Sequence, residues 1–446
     1  MEANRREFVV GAAAAIAAAS SRPATAEVRR RRPNIVFIMG DDVGFADLSV
    51  YGRREYRTPH LDRLAADGLM MTQGYANAPS CSPTRVALIT GRYQHRLPVG
   101  LPEPIRTRRL DPIGLPAGQP TLPGLLQAAG YRTALVGKWH MGWPPDHSPL
   151  RHGYQSFFGT ASAAVEYFTH RENDPAGQGD IGLYDGDAVV QREGYITDLL
   201  ADRAAQEIRS AAAAQTPFLL SLHFTSAHWP WQGPKSDPLP TSADLWHYDG
   251  GSLEIFGEMM RAMDAAIGRV LDELKKSDVA NDTLVIFTSD NGGERFSDTW
   301  PLRGGKRELL EGGLRVPVIV RWPGSIRPGR RSDQVMVSMD WSPTLLAAAG
   351  AAPDPASPPD GENLLDVLCG RSEPRPRKVF WRFRNPDQAA ARDGDWKYLR
   401  IGAEEHLFHV PSDPRERANR KNHERDIFER LKSDWAAWNG EMLPYS

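Results

Sequence analysis

Asn34-Ile35-Val36-Phe37-Ile38-Met39-Gly40-Asp41-Asp42 is the stretch from which the layout of this chain can be read. Ile35 to Met39 run without polar alternation, the pattern of a strand buried on both faces, and they stop at a glycine and two carboxylates. The same grammar recurs three times. Thr133 to Val136 lead into Gly137-Lys138-Trp139-His140, Pro217 to Leu222 into His223 through His228, and Thr283 to Thr288 into Ser289-Asp290-Asn291-Gly292. Helical periodicity fills the intervals, clearest in Leu253, Phe256, Met260, Met263, Ile267, Val270 and Leu274 behind a cap at Ser252. Shorter helices are predicted over Pro59 to Ala66 and Leu122 to Ala129, closed by Gly68 and Gly130. Strands alternating with helices mean an α/β protein with a large mixed, mostly parallel sheet sandwiched by helices. Ligands in such sheets gather beyond the carboxyl ends of the strands, so the four polar clusters should converge on one edge.

A helix is predicted over Ser342 to Ala349, with Asp340 as its cap, and the proline-rich run 351–360 behind it reads as a linker. This divides the chain into a main domain over 33–350 and, over 351–446, the linker with a small C-terminal α+β subdomain. Strands are predicted there over Lys378 to Phe383, Trp396 to Ile401 and His406 to Val410, forming an antiparallel sheet, with a closing helix over Glu424 to Trp438. The Arg- and Pro-rich piece Ser372 to Arg377 reads as mobile.

The 446 residues are 41% hydrophobic and 25% charged, an ordinary globular balance that supports a sizeable core. A net charge of −2 gives no overall basic field for nucleic acid, so any anion site must be built locally. Two cysteines, Cys81 and Cys369, exclude a disulfide framework. At the N-terminus Arg5-Arg6-Glu7-Phe8 precede the apolar run Val9 to Ala19, and Ala24-Thr25-Ala26 offers a small-residue cleavage site. This predicts a twin-arginine-type signal peptide over 1–26, a partnership with the twin-arginine export machinery, and a periplasmic or secreted destination. The alternative is a disordered alanine-rich tail. The run is too short for a stable membrane anchor.

Chemistry enters with Cys81-Ser82-Pro83-Thr84-Arg85, followed by Thr90-Gly91-Arg92. Pro83 suits an early position in a helix running toward Thr90, which puts residue 81 at the positive helix end. Asp41, Asp42, Asp290 and Asn291 offer only oxygen donors, the set a hard cation prefers. Taken singly, Asp41-Asp42 reads equally as a cap or solvated turn, and Asp290-Asn291-Gly292-Gly293 as a turn. Trp139 reads as packing. His60, His95, His147, His152, His170 and His223 read as structural histidines, with His170 able to reach substrate.

The order of these motifs over Pro33 to Leu346 resembles the formylglycine-dependent sulfatase family, in the alkaline phosphatase superfamily. The resemblance implies an alkaline phosphatase-like fold and a sulfuric ester hydrolase. Its nucleophile would be the hydrate of a formylglycine made from Cys81, passing through a covalent sulfoenzyme intermediate. One hydroxyl attacks sulfur, and the other later loses its proton and expels sulfate by C–O cleavage, with His140 taking that proton. The resemblance further implies one divalent cation, calcium first and magnesium second, held by Asp41, Asp42, Asp290, Asn291 and an oxygen of modified Cys81. Arg85 would hold and activate the hydrate, and Lys138 would support it together with His140. His228 and Lys306 would grip sulfate and protonate the departing alcohol. A formylglycine-generating enzyme is an implied partner. Fixed cations suit a sulfuryl group, and removing one such donor typically costs about 3–4 kcal/mol of barrier.

Aromatic loops at 166–170, 229–231 and 298–300 are candidate contacts for a sugar or aryl ring, so a sulfated sugar is the first expected substrate and an aryl sulfate the second. Two alternatives stand beside this reading: a phosphoester or phosphonate monoester hydrolase with the same charge clamp, and a non-catalytic protein that binds sulfated glycans.

Overall fold

The computed structural model describes residues 32–106, 111–172, 179–240 and 250–445. The export signal expected over 1–26 lies outside the described residues. Along the chain the strands of the large sheet are β1 (Asn34–Gly40), β2 (Leu69–Tyr75), β3 (Arg132–Lys138), β4 (Ser156–Thr160), β5 (Tyr184–Asp185), β6 (Ala188–Val189), β7 (Phe218–His223), β8 (Thr283–Ser289), β9 (Arg315–Arg321), β10 (Arg330–Ser332) and β11 (Met336–Val337). Their order is β10-β2-β9-β8-β1-β7-β3-β4-β5-β6, with β11 on β2. The central block β8-β1-β7-β3-β4 is parallel, and β9 is antiparallel to both β8 and β2, so β2 points the same way as the block.

β1 shows why its sequence carries no alternation. Val36 and Ile38 enter one apolar core while Ile35, Phe37 and Met39 enter the other, so the strand is buried on both sides. The first core receives α1 (Pro59–Ala66), α4 (Ile196–Ala213) and α5 (Leu253–Lys276) through residues such as Leu61, Leu200 and Met260. The second receives α2 (Cys81–Thr90), α3 (Leu122–Ala128) and α7 (Trp341–Ala349) through Val86, Leu126 and Leu345. Two short helices, α6 (Glu311–Leu314) and α8 (Leu365–Leu368), fill connections. α5 starts where expected, with the Ser252 side chain accepting from the Ile255 amide at 3.1 Å. Its methionine stripe is core, each fully buried side chain contributing about 1.5–3 kcal/mol.

The C-terminal sheet has four antiparallel strands in the order β12 (Lys378–Phe383), β13 (Gln388–Asp393), β14 (Trp396–Ile401) and β15 (Glu404–His409). α9 (Arg425–Gly440) covers one face through Phe428 and Leu431. The other face, with Val379, Trp381 and Leu399, packs on Leu309, Leu310 and Leu314 from the connection that leads into β9.

Several local expectations change. β13 has no counterpart in the sequence reading, and the strand expected at His406 to Val410 runs Glu404–His409. Gly68 is not a left-handed closure; α1 ends on Asp67, and a Cβ at Gly68 would fall 2.2 Å from the Val320 carbonyl oxygen. Asp340 does not cap α7 with its side chain. Its carboxylate instead accepts from the Val337 and Glu362 amides and from buried Arg377, which ties down the 372–377 piece expected to be mobile. Arg375 is also anchored, its amide donating to Gln334 at 2.8 Å.

Candidate active site

Four of the expected clusters leave the parallel block on one edge: Asp41 and Asp42 after β1, Lys138 and His140 at the end of β3, His228 after β7, and Asp290 and Asn291 after β8. Gly137 makes one exit possible. Its φ is 117°, and a Cβ there would meet the His223 carbonyl oxygen at 1.8 Å, so only glycine lets β3 pass β7 this closely. Asp42 (φ 61°) and His140 (φ 57°) hold left-handed backbone without being glycine, a conformation that persists where surrounding structure enforces it.

Cys81 is the first residue of α2, and every residue of that helix is buried. Its Sγ lies 3.4 Å from Asp41 Oδ1 and 3.9 Å from Asp42 Oδ1. Arg85, one turn along α2, donates to Asp290 Oδ2 from Nε (3.1 Å) and Nη2 (2.7 Å), and to the Lys138 carbonyl (3.0 Å). Lys138 Nζ sits 2.6 Å from Asp41 Oδ2 and Lys306 Nζ 2.8 Å from Asp42 Oδ2. His228 Nδ1 lies 2.7 Å from the Trp229 carbonyl and so carries the proton, leaving Nε2 3.7 Å from Asp42 Oδ2. His140 Nε2 likewise donates to the Ile105 carbonyl at 2.7 Å, and its buried Nδ1 has no hydrogen-bond partner.

The electrostatics follow from three carboxylates packed out of water. Burial first, then Asp290, pushes Asp41 up to about 8 against the pull of Lys138. Burial works upward on Asp290 as well, but Arg85 and then Lys138 hold it below the usual carboxylate range. Burial pushes the Cys81 thiol well up, with Asp290 adding to it, so the unmodified sulfur is no thiolate nucleophile. Burial, then a neighbouring lysine, keeps both His140 and His228 well below the usual histidine value, which makes them neutral. Burial pulls Lys306 downward, but Asp42, Cys81, Glu294 and Asp41 together hold it well above its ordinary value.

A cation fits this donor set. Asp41, Asp42, Cys81 and His228 can offer ligand atoms within 4.8 Å of one another, which brings in His228 beside the expected ligands. Asn291 Oδ1 is buried without a hydrogen-bond partner while its Nδ2 donates to Asp42 Oδ1 at 2.7 Å. An orphaned amide oxygen beside carboxylates is what a hard, oxygen-seeking ion requires.

Sequence reasoning missed two groups. His223, treated as structural, is buried with Nδ1 3.5 Å from Arg85 Nη1; as the last residue of an apolar run it carries no distinguishing signal. Glu294 Oε2 lies 4.0 Å from Lys306 Nζ. Of the aromatic loops, Tyr167, Trp229 and Trp231 are buried, and Tyr167 donates to the Thr225 and His228 carbonyls, so it supports the His228 turn; Trp300 is 61% exposed. His170 Nε2 pairs with the Gly194 carbonyl. No helix among the described residues is long and apolar enough to cross a membrane.

A strand edge that sets fixed cations, neutral imidazoles and carboxylates around the start of a buried helix defines a hydrolase for an anionic ester. The chain belongs to the sulfatase family, in the alkaline phosphatase superfamily, and is a sulfuric ester hydrolase: the Sulfatase family model matches residues 33–351. A second model, N-sulphoglucosamine sulphohydrolase, C-terminal, matches residues 304–436. Among relatives, N-acetylgalactosamine-6-sulfatase of Homo sapiens is 34% identical over 82% of this chain and 71% of its own length. Steryl-sulfatase of Mus musculus is 33% identical over 83% and 70%. The solved structure of Ps i-CgsB in complex with k-i-k-neocarrahexaose superposes with a TM-score of 0.83 at 28% identity, covering 93% of this chain and 94% of that one.

Proposed function

We propose that the protein cleaves sulfate esters of a sulfated glycan, with Cys81 converted to formylglycine and one calcium ion, magnesium being second choice, held by Asp41, Asp42, Asp290, Asn291 and residue 81. When in place, the hydrated aldehyde supplies the nucleophilic hydroxyl, and the ion supplies positive charge against the sulfuryl oxygens. Arg85 and Lys138 orient residue 81 and balance its charge. His140, neutral and with Nδ1 unengaged, accepts the proton released as sulfate leaves. Lys306 and His228 hold the sulfate; because the one proton of neutral His228 sits on Nδ1, the proton for the departing alcohol comes from the charged Lys306 ammonium.

The observation that carries this reading is the meeting of Cys81 with Asp41 (3.4 Å) at the start of a buried helix, flanked by Lys138 on Asp41 and Lys306 on Asp42. A sugar substrate is supported by the names of an N-acetylgalactosamine-6-sulfatase relative and a neighbour solved with neocarrahexaose; an aryl sulfate is the second choice. The division into a catalytic domain over 33–350 and a C-terminal subdomain over 351–446 belongs to this proposal. So do the signal over 1–26, twin-arginine export, a periplasmic or secreted destination, and maturation by a formylglycine-generating enzyme.

The test is peptide mass spectrometry across Ser80 to Arg85 on material from a host with that enzyme, paired with rates on sulfated sugars, aryl sulfate and aryl phosphate. We expect the aldehyde at residue 81 and preference for sulfate. Full activity with an untouched thiol overturns the nucleophile, and faster phosphate cleavage overturns the substrate class.

A further inference from the structure

Lys306 rides on an irregular connection between β8 and β9, so its ammonium is only as well placed as that backbone. The Lys306 amide donates to the Gly293 carbonyl (2.9 Å) and the Arg307 amide to the Pro79 carbonyl (2.8 Å), while Arg307 takes a φ of 73°. Beyond that turn the chain is held from outside the large sheet. Gln388, the first residue of β13 and 1% exposed, donates from Nε2 to the Arg307 carbonyl and accepts at Oε1 from the Leu309 amide, both at 2.8 Å. The Glu416 carboxylate, also from the C-terminal region, accepts from the Glu311 amide at 2.6 Å.

Buried backbone polar groups must be paired, and Gln388 pairs one donor and one acceptor on either side of residue 308. A single planar amide bound at both ends fixes the separation of those two groups, and with it the path of the turn carrying Lys306. Among the described residues none of the charged groups around Cys81 comes from the C-terminal sheet, yet the C-terminal region touches the connection at Arg307, Leu309 and Glu311.

We infer that Gln388 is a positioning residue for sulfate-ester cleavage: by clamping Arg307 and Leu309 it sets where the Lys306 ammonium stands, and so how well the departing alcohol is protonated. The inference rests on the role proposed above for Lys306. The C-terminal sheet therefore takes part in turnover through this clamp and not only in stability. A group that protonates a leaving alcohol matters most when that alcohol is a poor leaving group and little when it is a nitrophenol.

The experiment measures kcat and KM of the matured full chain on a series of substituted phenyl sulfates, from 4-nitrophenyl to 4-methoxyphenyl, for wild type, Gln388→Ala, Gln388→Glu and Lys306→Ala. Thermal unfolding is recorded for each. Gln388→Ala should lower kcat on the methoxyphenyl ester about tenfold more than on the nitrophenyl ester, with KM nearly unchanged. Gln388→Glu, which still accepts from Leu309 and loses its bond to the Arg307 carbonyl only when ionised, should fall between wild type and the alanine variant at a pH where its carboxyl is ionised. A Gln388→Ala loss equal across the series, or no loss, overturns the inference provided Lys306→Ala shows the steeper leaving-group dependence. A flat series for Lys306→Ala overturns the Lys306 assignment itself. If the alanine variant does not fold, the glutamate variant decides on the same criterion.

Discussion

Around Glu311 and Glu416 the buried charges have met protein partners; around Asp41 and Asp42 they are left with something to hold. In the first region Lys397 Nζ lies 2.9 Å from Glu311 and 2.8 Å from Glu416, Tyr75 donates to Glu311 at 2.6 Å, and Arg315 stands 3.3 Å from the same carboxylate. Lys397 and then Arg315 overcome burial to bring Glu311 down to about 2. In the second region, carboxylates and lysines are equally buried, yet the amide oxygen of Asn291 beside them has no hydrogen-bond partner. A cluster in which one lysine bridges two carboxylates is a tether between two sheets, and one that leaves an unpaired amide oxygen beside its carboxylates is a place prepared for an ion and a substrate.

Removing residue 81 should separate the two regions most sharply. Cys81→Ala is expected to lower sulfate release by about a thousandfold or more while the melting temperature stays close to wild type, and wild-type-like turnover would sink the assignment. The mirror experiment is Lys397→Met, which leaves Glu311 and Glu416 without their shared cation. Denaturant unfolding should show a loss of about 3–5 kcal/mol, far beyond that of Cys81→Ala, and a smaller loss than in Cys81→Ala would reverse the comparison.

Chelation should come next in size. Stripping divalent ions is expected to lower the unfolding temperature, and calcium at a hundred times its dissociation constant should restore about 2.7 kcal/mol. Asn291→Ala should shrink that restoration; indifference of unfolding to chelator would mean that the cluster holds no ion. The smallest effect concerns pH. Burial, opposed by Lys397, places Glu416 at about 7 in the folded chain against an ordinary 4.5. The folded state thus keeps a proton that the unfolded chain releases, so this contribution is complete below 4.5 and fades as pH rises through about 7. Glu416→Gln cannot ionise, and the stability of wild type relative to it should decline between about pH 5 and 8; parallel curves would contradict the raised value.

Where burial writes a pattern into neighbouring residues, the sequence was informative. β1 and β8 are two-faced apolar runs, and their ends deliver Asp41, Asp42, Asp290 and Asn291 where the strand grammar placed them. β13 was hidden because Ala389-Ala390-Ala391 favours a helix by propensity, although all three are buried in the small sheet, where tertiary packing overrides that preference. The charge cluster around Glu311 and Glu416 gave no warning at all. Tyr75, Glu311, Arg315, Lys397 and Glu416 are scattered along the chain, each unremarkable in its own window, and only the meeting of two sheets gathers them. Gln388 was invisible for the same reason.

The register of β1 also sets a clock. Its partners are β7 and β8, and the amide of Asn291 reaches Asp42 across 249 residues. Cys81 therefore cannot be walled in until the ribosome has passed the end of β8. At about 5–20 residues per second, the roughly 200 residues in between take roughly 10–40 s, an interval in which the thiol is not yet enclosed.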